Sequence, residues 1–306
     1  MAGSVAICLV MLVGSQEMLL PPPWPASERA PHKRGNIYAP ELVVEKTRSL
    51  LYYGAQGLDG HDRIHLAVST DGTVWKRHGV VLEDPAANHV NDPSVVVAQG
   101  VYHLYYTLAR EGVSDVIALA TSQDGLHWQK QGVVLNPGQP GAWDNLLVGR
   151  PSALFEKGKF RLWYDGRKDL PPGAPDTKAP QSPSSSRAVG LAESTDGKTF
   201  SRVGTSPVFS HDSGGVHVVN TGQGYAMVIE GTTGTRWASS TDGLVWSDRG
   251  QLAGLTGGPW DRHGHVTPFL VTGDKPCLLV GGATAPTWDA NRILRLPLAK
   301  KSLEPK

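Results

Sequence analysis

The chain has 306 residues, of which 40% are hydrophobic and 19% are charged, as expected for a soluble globular protein that folds as one domain. The formal net charge of +1 argues against nucleic acids and acidic membranes as main partners. The only two cysteines are Cys8 and Cys277, so no disulfide framework is predicted.

The first 35 residues differ in composition from the rest of the chain. An apolar run at 5–14 has the length of a signal-peptide core but is too short to span a bilayer. Three prolines at 21–23 then indicate an extended linker. We therefore predict a signal peptide and a Pro-rich linker in 1–35. This favours a secreted or periplasmic location over a cytoplasmic one.

One phrase, Ser-x-Asp-Gly followed by an aromatic residue three positions after the glycine, is repeated four times. Its copies occupy 67–75, 120–128, 192–200 and 238–246. Asp and Gly favour tight turns, because Asp bonds its own backbone and Gly adopts positive φ freely. The Asp residues are 53, 72 and 46 positions apart, and the long interval contains the Pro/Ser-rich insert at 169–187, without which it is also 53. Recurrence at such intervals is typical of one supersecondary unit repeated along the chain.

Each repeat contains four short apolar or aromatic segments separated by turn residues, which predicts four β-strands. Such units arranged radially form a β-propeller. We predict an all-β, five-bladed propeller over 36–298, with a basic tail at 299–306. The last blade lacks a fourth strand, which the segment before residue 36 would supply to close the ring. The Pro/Ser-rich insert at 169–187 predicts a flexible loop over the functional face.

Polar residues recur where the first strand of a predicted blade begins and where the second ends. Glycoside hydrolysis needs two carboxyl groups, one protonated and one ionised, and close carboxylates separate each other's pKa values. The candidate catalytic residues are Asp92, Asp144, Glu41 and Glu230. Asp144 is the preferred acid, because the adjacent Trp143 would desolvate it and raise its pKa.

Other residues at the same rim are suited to holding a sugar. Arg150 and Asp165 would orient hydroxyl groups, and the indoles of Trp143 and Trp260 would stack on sugar rings. The full set of substrate-binding candidates is Arg150, Asp165, Trp143, Trp260, Tyr164 and His265.

The chain resembles the five-bladed propeller glycosidases, the arabinanase, levansucrase and invertase superfamily that includes glycoside hydrolase families 43 and 32. The resemblance is carried by Ala-Pro-Glu at 39–41, Asn-Asp-Pro-Ser at 91–94, Trp-Tyr-Asp-Gly at 163–166 and the repeated phrase. It implies that Asp92 is a catalytic or supporting carboxylate. It also implies that His265 lies near the axis, where family members often hold a cation or water. The family's acidic Glu has no counterpart before Pro151.

The repeated phrase also resembles the Asp-box of sialidases, but no cluster of three arginines for a carboxylated sugar is apparent in the sequence. We expect a monomeric glycoside hydrolase, without a catalytic cofactor or membrane span, acting on a furanose-containing or related glycan. Two alternatives remain. One is a non-catalytic carbohydrate-binding propeller. The other is a phosphorylase in which Arg150, Arg167 and Lys168 hold phosphate.

Overall fold

The computed structural model describes residues 16–110, 113–168, 187–210 and 213–299. This part of the chain is built from β-strands and one 3₁₀ turn at Ala26–Glu28. None of its elements is a helix with the length and hydropathy needed to cross a membrane. The strands are β1 (Glu17–Met18), β2 (Ile37–Val44), β3 (Ser49–Gln56), β4 (Asp62–Ser69), β5 (Lys76–Leu82), β6 (His89–Ala98), β7 (Val101–Arg110), β8 (Val113–Ser122), β9 (Gln129–Leu135), β10 (Leu147–Glu156), β11 (Lys159–Arg167), β12 (Ala188–Ser194), β13 (Ser201–Arg202), β14 (Val216–Asn220), β15 (Tyr225–Ile229), β16 (Gly234–Ser240), β17 (Ser247–Gly254), β18 (His265–Val271), β19 (Cys277–Ala283) and β20 (Asn291–Pro297).

Consecutive antiparallel strands form repeated units. The first four units are β2–β5, β6–β9, β10–β13 and β14–β17, and the fifth contains β18, β19 and β20. In the fifth unit the outer strand is β1, which pairs with β20 through Glu17↔Arg295 and Met18↔Leu294. The first two units join one sheet through a parallel bridge between Asp62 and His89. The prediction of an all-β chain is confirmed.

The first strands of the five units surround a common centre. β2 contacts β6, β6 contacts β10, β10 contacts β14, β14 contacts β18, and β18 contacts β2. Hydrophobic clusters fill the space between successive units rather than a single central core. The centre is therefore lined by the backbone and side chains of first strands, which carry Glu41, Asp92 and Arg150 among the functional candidates.

Each copy of the repeated phrase forms the turn between the third and fourth strands of its unit. In the first copy, the Ser69 Oγ accepts hydrogen bonds from the backbone N–H groups of Asp71 and Gly72, while Asp71 Oδ1 accepts two further backbone hydrogen bonds. The turns at Ser122, Ser194 and Ser240 have the same hydrogen bonds. The phrase is thus a local structural device, as predicted.

These turns also connect neighbouring units. Tyr52 donates its hydroxyl to the Gly125 carbonyl of the next unit at 2.6 Å, and Tyr105 does the same to Gly197 at 2.9 Å. Trp163 donates its indole N–H to the Gly243 carbonyl at 3.0 Å. In the fourth unit the equivalent position is Val228, and a groove of about 730 Å³ lies at the edge of the contact between that unit and the fifth.

The described part of the predicted linker packs against the first and fifth units. Glu28 is buried and forms an ion pair with Arg77 at 3.0 Å, and it accepts a hydrogen bond from Tyr53. Trp24 lies under the guanidinium of Arg292 at 4.3 Å. Residues 1–15 with the apolar run of the predicted signal peptide, most of the insert (169–186) and the tail from 300 onward lie outside the described residues.

Candidate active site

The first strands of four units begin before the proline that was predicted to open them, and each contains the same irregularity in register at that proline. The residue before each of these prolines has a positive φ: 49° at Ala39, 50° at Asp92, 45° at Arg150 and 41° at Thr267. The fourth unit has Gly215 at 55° and no proline. Non-glycine residues seldom adopt this region, so the surrounding fold must impose it. All five residues line a central cavity of about 30 Å³, room for about one water molecule.

Asp92 is buried beside this cavity. Its Oδ2 accepts a hydrogen bond from the Thr107 hydroxyl at 3.0 Å, and the same hydroxyl accepts the backbone N–H of Arg150 at 2.8 Å. Burial raises the pKa of Asp92 to about 6, although the charge of Arg150 and the Thr107 hydrogen bond lower it. Asp92 therefore keeps its proton to a higher pH than an ordinary aspartate and loses it near pH 6.

Asp165 lies at the end of β11 among three arginines. Its Oδ2 is 2.6 Å from Arg150, 3.1 Å from Arg187 and 4.0 Å from Arg167. Burial acts to raise the pKa of Asp165, but the three guanidinium groups outweigh it and the net pKa is lowered. Asp165 consequently ionises at a lower pH than Asp92.

Glu230 is the second ionised carboxylate of the site. It forms a short ion pair with Arg187, and its Oε2 accepts the backbone N–H of Thr267 at 3.1 Å. A side chain at Gly215 would overlap its carboxylate, so glycine at 215 allows Glu230 to approach the cavity wall. Burial opposes ionisation, but Arg187 and Arg150 hold the pKa of Glu230 below its usual value.

Glu41 belongs to a ring of side chains one layer further along the first strands. Each accepts a backbone N–H from the first strand of the next unit. The pairs are Glu41 with Val95 (2.7 Å), Ser94 with Ala153 (3.0 Å), Ser152 with Val218 (2.9 Å) and His217 Nδ1 with Leu270 (3.1 Å). Burial raises the pKa of Glu41 to about 8 and lowers that of His217 to about 3. Both side chains are therefore neutral near pH 6.

Asp144 does not line the central cavity. It is fully buried, accepts the Tyr164 hydroxyl at 2.9 Å and pairs with Arg202 at 2.8 Å. Trp143 stacks on Tyr164 with ring centroids 5.8 Å apart. These residues border a separate cavity of about 230 Å³ between β12, β13 and the 137–144 loop. The sequence predicted Asp144 at the rim of the centre. Instead, Arg202 on the outer strand of the unit holds its carboxylate beside this separate cavity.

Trp260 and His265 also lie outside the lining of the central cavity. Trp260 is 36% exposed. His265 is buried, with Nε2 3.1 Å from Asp261 and Nδ1 2.9 Å from the Thr235 hydroxyl. Since both ring nitrogens have protein partners, neither offers a lone pair to a cation in this arrangement. No group of three metal-ligating side chains occurs within the described ranges.

Arg187 is the main site residue that the sequence did not reveal. Its position at the end of the Pro/Ser-rich insert predicts a flexible loop, yet its side chain is buried and bridges Asp165 and Glu230. No cluster of three arginines for a carboxylated sugar was apparent in the sequence, but Arg150, Arg167 and Arg187 all lie within 4.0 Å of Asp165. A usable signal was the position of Arg187 directly before β12, opposite Arg167 at the end of β11.

Comparison with known proteins supports the resemblance seen in the sequence. Residues 83–218 match the model of the glycosyl hydrolases family 32 N-terminal domain, a match over less than half of the chain. An uncharacterized protein of Mycobacterium tuberculosis is 28% identical over 134 residues, which are 40% of this chain and 44% of that protein. The chain thus aligns with less than half the length of this curated relative.

Solved structures with the same fold are glycoside hydrolases and related proteins. A family 117 glycoside hydrolase from Zobellia galactanivorans, Zg3597, has a TM-score of 0.68 at 18% identity, covering 92% of this chain and 89% of that protein. A thermostable family 43 glycoside hydrolase has a TM-score of 0.64 at 14% identity, covering 85% and 88%. BT0996, solved as an RGII complex, reaches 0.72 at 18% identity, covering 92% and 90%. The predicted resemblance to the propeller glycosidases is therefore confirmed, and the chain has their fold.

Proposed function

We propose that the protein is a glycoside hydrolase whose five units form a closed five-bladed propeller, with the active site at the mouth of its central cavity. The cyclic contacts of the first strands and the pairing of β1 with β20 support the ring. The observation that best supports this function is that Asp92, Asp165 and Glu230 cluster around the irregular part of the first strands. Such a set supplies both a neutral and an ionised carboxyl group.

Asp92 is the proton donor in this proposal. Its carboxyl lies beside the cavity, and the Thr107 hydroxyl fixes its orientation. A general acid works best when its pKa lies near the operating pH, and burial brings the pKa of Asp92 to about 6. Asp144 is assigned a structural role instead, because Arg202 and Tyr164 hold its carboxylate away from the cavity.

Glu230 is the ionised partner, acting on the opposite side of the scissile bond as base or nucleophile. Its carboxylate lies against Gly215 and the Thr267 N–H, both at the cavity wall. Asp165 and Arg150 position sugar hydroxyls, because their ion pair fixes an acceptor and a donor at the rim. The neutral Glu41 joins the first two units and takes no part in proton transfer.

The substrate we propose is a furanose-containing or related oligo- or polysaccharide. We also propose that the protein is exported and acts as a monomer. The non-catalytic binding propeller is the main alternative, since Asp165 and Glu230 are both engaged by arginine. A binding protein would retain glycans without releasing reducing ends. That difference makes turnover the deciding property.

The test is a glycan panel scored for new reducing ends, with Asp92→Asn and Asp144→Asn as matched variants. We expect turnover of at least one glycan and a roughly 10²–10⁴-fold loss in Asp92→Asn, the size of a general-acid contribution. Asn keeps an acceptor for Thr107, so the variant should not melt lower. Asp144→Asn should retain turnover per folded molecule. Binding without cleavage across the panel would establish the alternative.

A further inference from the structure

The contact between the fourth and fifth units differs from the other four contacts between units. In each of those four, the aromatic residue of a repeated phrase packs between two units. These aromatic residues are Trp75, Trp128, Phe200 and Trp246. The fifth unit has no copy of the phrase, and no phrase aromatic is found in the hydrophobic cluster that the described residues form between the fourth and fifth units. The groove of about 730 Å³ lies at the edge of this contact.

The side chains that line this groove suit a neutral, polar ligand. Within the described ranges Arg249 is the single charged side chain in the lining, and its Nε donates to the Ser239 hydroxyl at 2.8 Å. Further lining residues carry hydroxyl or amide groups: Asn220, Thr221, Gln223, Thr241, Ser247 and Thr272. Pockets for small ligands typically enclose about 300–1,000 Å³. The groove therefore has the volume and the neutral hydrogen-bonding groups to hold a polyhydroxylated molecule.

Trp237 adds an apolar surface and an unused hydrogen-bond donor. It lines the groove and is 8% exposed. Its indole N–H has no partner among the described residues. The indole nitrogens of Trp75 and Trp128 also lack partners but are enclosed by protein, whereas that of Trp237 is not enclosed. Because nearly buried donors normally have an acceptor, this N–H points to a ligand in the groove.

The groove and the central cavity lie at opposite ends of β14. Gly215, directly before this strand, lines the cavity, and Asn220, its last residue, lines the groove. Five residues of β-strand span about 16 Å. The groove is therefore a separate site and not an extension of the central one.

We propose that this groove is a second carbohydrate-binding site, which holds a neutral oligo- or polysaccharide. One sugar ring lies where an aromatic side chain packs at the other contacts, and Trp237 donates its indole N–H to a sugar oxygen. The surrounding hydroxyl and amide groups bind the remaining sugar hydroxyls. The inference goes beyond the proposed function, because glycan bound at this end of β14 is retained and not cleaved. On a polymer, the two sites together increase the effective affinity.

Binding can be measured by affinity electrophoresis in the cold, in native gels that contain arabinan, inulin or galactan as neutral polysaccharides. We expect at least one polymer to retard the protein. Thr272→Trp, at the exposed rim of the groove, should fill it and weaken that binding at least tenfold. Trp237→Phe should weaken it several-fold, because the N–H is lost. Trp128→Phe is the matched control: it removes an unpartnered but enclosed N–H and should leave binding unchanged.

Melting temperatures identify any loss of binding that is caused by unfolding, and the exposed position of Thr272 keeps that variant informative. Absence of retardation by all three polymers, or equal retardation of the natural sequence and both groove variants, would overturn the inference. Self-association that Thr272→Trp abolishes would assign the groove to a second copy of the chain and would also overturn it. Groove-dependent retention without any hydrolysis would support the second site while contradicting only the proposed hydrolase.

Discussion

The turns at the outer edge and the first strands at the centre both recur in every unit or nearly every unit. The turns repeat a set of residues, whereas the first strands repeat a backbone conformation. In the outer turns the residues recur: Ser, Asp and Gly stand at the same three positions in four units. At the centre the backbone recurs with positive φ, while the residues there differ from unit to unit. They are Ala39, Asp92, Arg150, Gly215 and Thr267. A turn that makes the same hydrogen bonds in every unit keeps its residues, whereas a shared site needs a different side chain from each unit.

The two regions also differ in how they control carboxylates. Asp124 in an outer turn is close to solvent, and its pKa is lowered by hydrogen bonds from His127 and nearby backbone N–H groups. Asp92 at the centre is buried, and burial raises its pKa. Local hydrogen bonds suffice to fix a turn, but a proton donor needs the low-dielectric centre that all the units build together.

Replacing Arg187 should produce the largest loss of stability at the centre. Arg187→Met would leave Asp165 and Glu230 buried without their shared cation, which costs about 3–5 kcal/mol of unfolding free energy. Urea unfolding at pH 7 measures this loss. The surface variant Lys159→Met, which removes a solvent-accessible pair with Glu193, should cost at most about 1 kcal/mol. Similar small losses in both would show that Arg187 does not hold the site together.

Glu41 should make the central ring sensitive to pH. Its pKa is about 8 in the folded protein and 4.5 as a reference value, so its folded form binds more protons between these values. Its contribution to stability is therefore complete below pH 4.5 and lost as the pH rises through 8, by about 5 kcal/mol at most. Glu41→Gln should flatten this decline in unfolding experiments from pH 5 to 9.

Ser152→Ala is the matched control, because it removes an equivalent acceptor without a titratable group. It should lower stability equally at every pH. A decline as steep in Glu41→Gln as in the natural sequence would show that another group causes it.

Two glycines of the repeated phrase separate the turn itself from the contact between units. Gly72 and Gly125 both have a φ of 72°, so alanine strains both by about 1–2 kcal/mol. A Cβ at Gly72 meets nothing within 4 Å, but one at Gly125 would lie 2.9 Å from Leu50 and Tyr52. Gly125→Ala should therefore destabilise by about 1–3 kcal/mol more in denaturant unfolding. Equal losses would mean that the tyrosine contact adds little.

Much of the fold could be predicted from the sequence because its signals are local. Asp-Gly turns, the prolines of the first strands and alternating strands depend on neighbouring residues, and these also place Asp92 near the start of β6 and Asp165 and Glu230 near the ends of β11 and β15. The β1 strand is different, because its pairing with β20 joins opposite ends of the described chain. No local pattern marks Glu17–Met18 as the edge of the last unit.

The side-chain pairings of the site were the least predictable part. The residues around Asp144 do not determine whether its side chain faces the centre or the outer strand of its unit. Its partner Arg202 is on a strand 58 residues later. Arg187 is separated by 43 residues from Glu230 and follows a polar segment without apolar periodicity. Which cation reaches which carboxylate depends on how units stack, and that packing is not encoded in the residues beside either partner.

The most direct test of the central claim is the pH dependence of kcat/KM on a glycan that the protein cleaves. If Asp92 is the proton donor, the rate should fall as pH rises above about 6, since its carboxyl then loses the proton. Asp144→Asn should show the same fall in kcat/KM at the same pH. A rate that instead rises through pH 6 and stays constant to pH 8 would mean that ionised Asp92 is the active form, and would contradict the assignment of Asp92 as the acid.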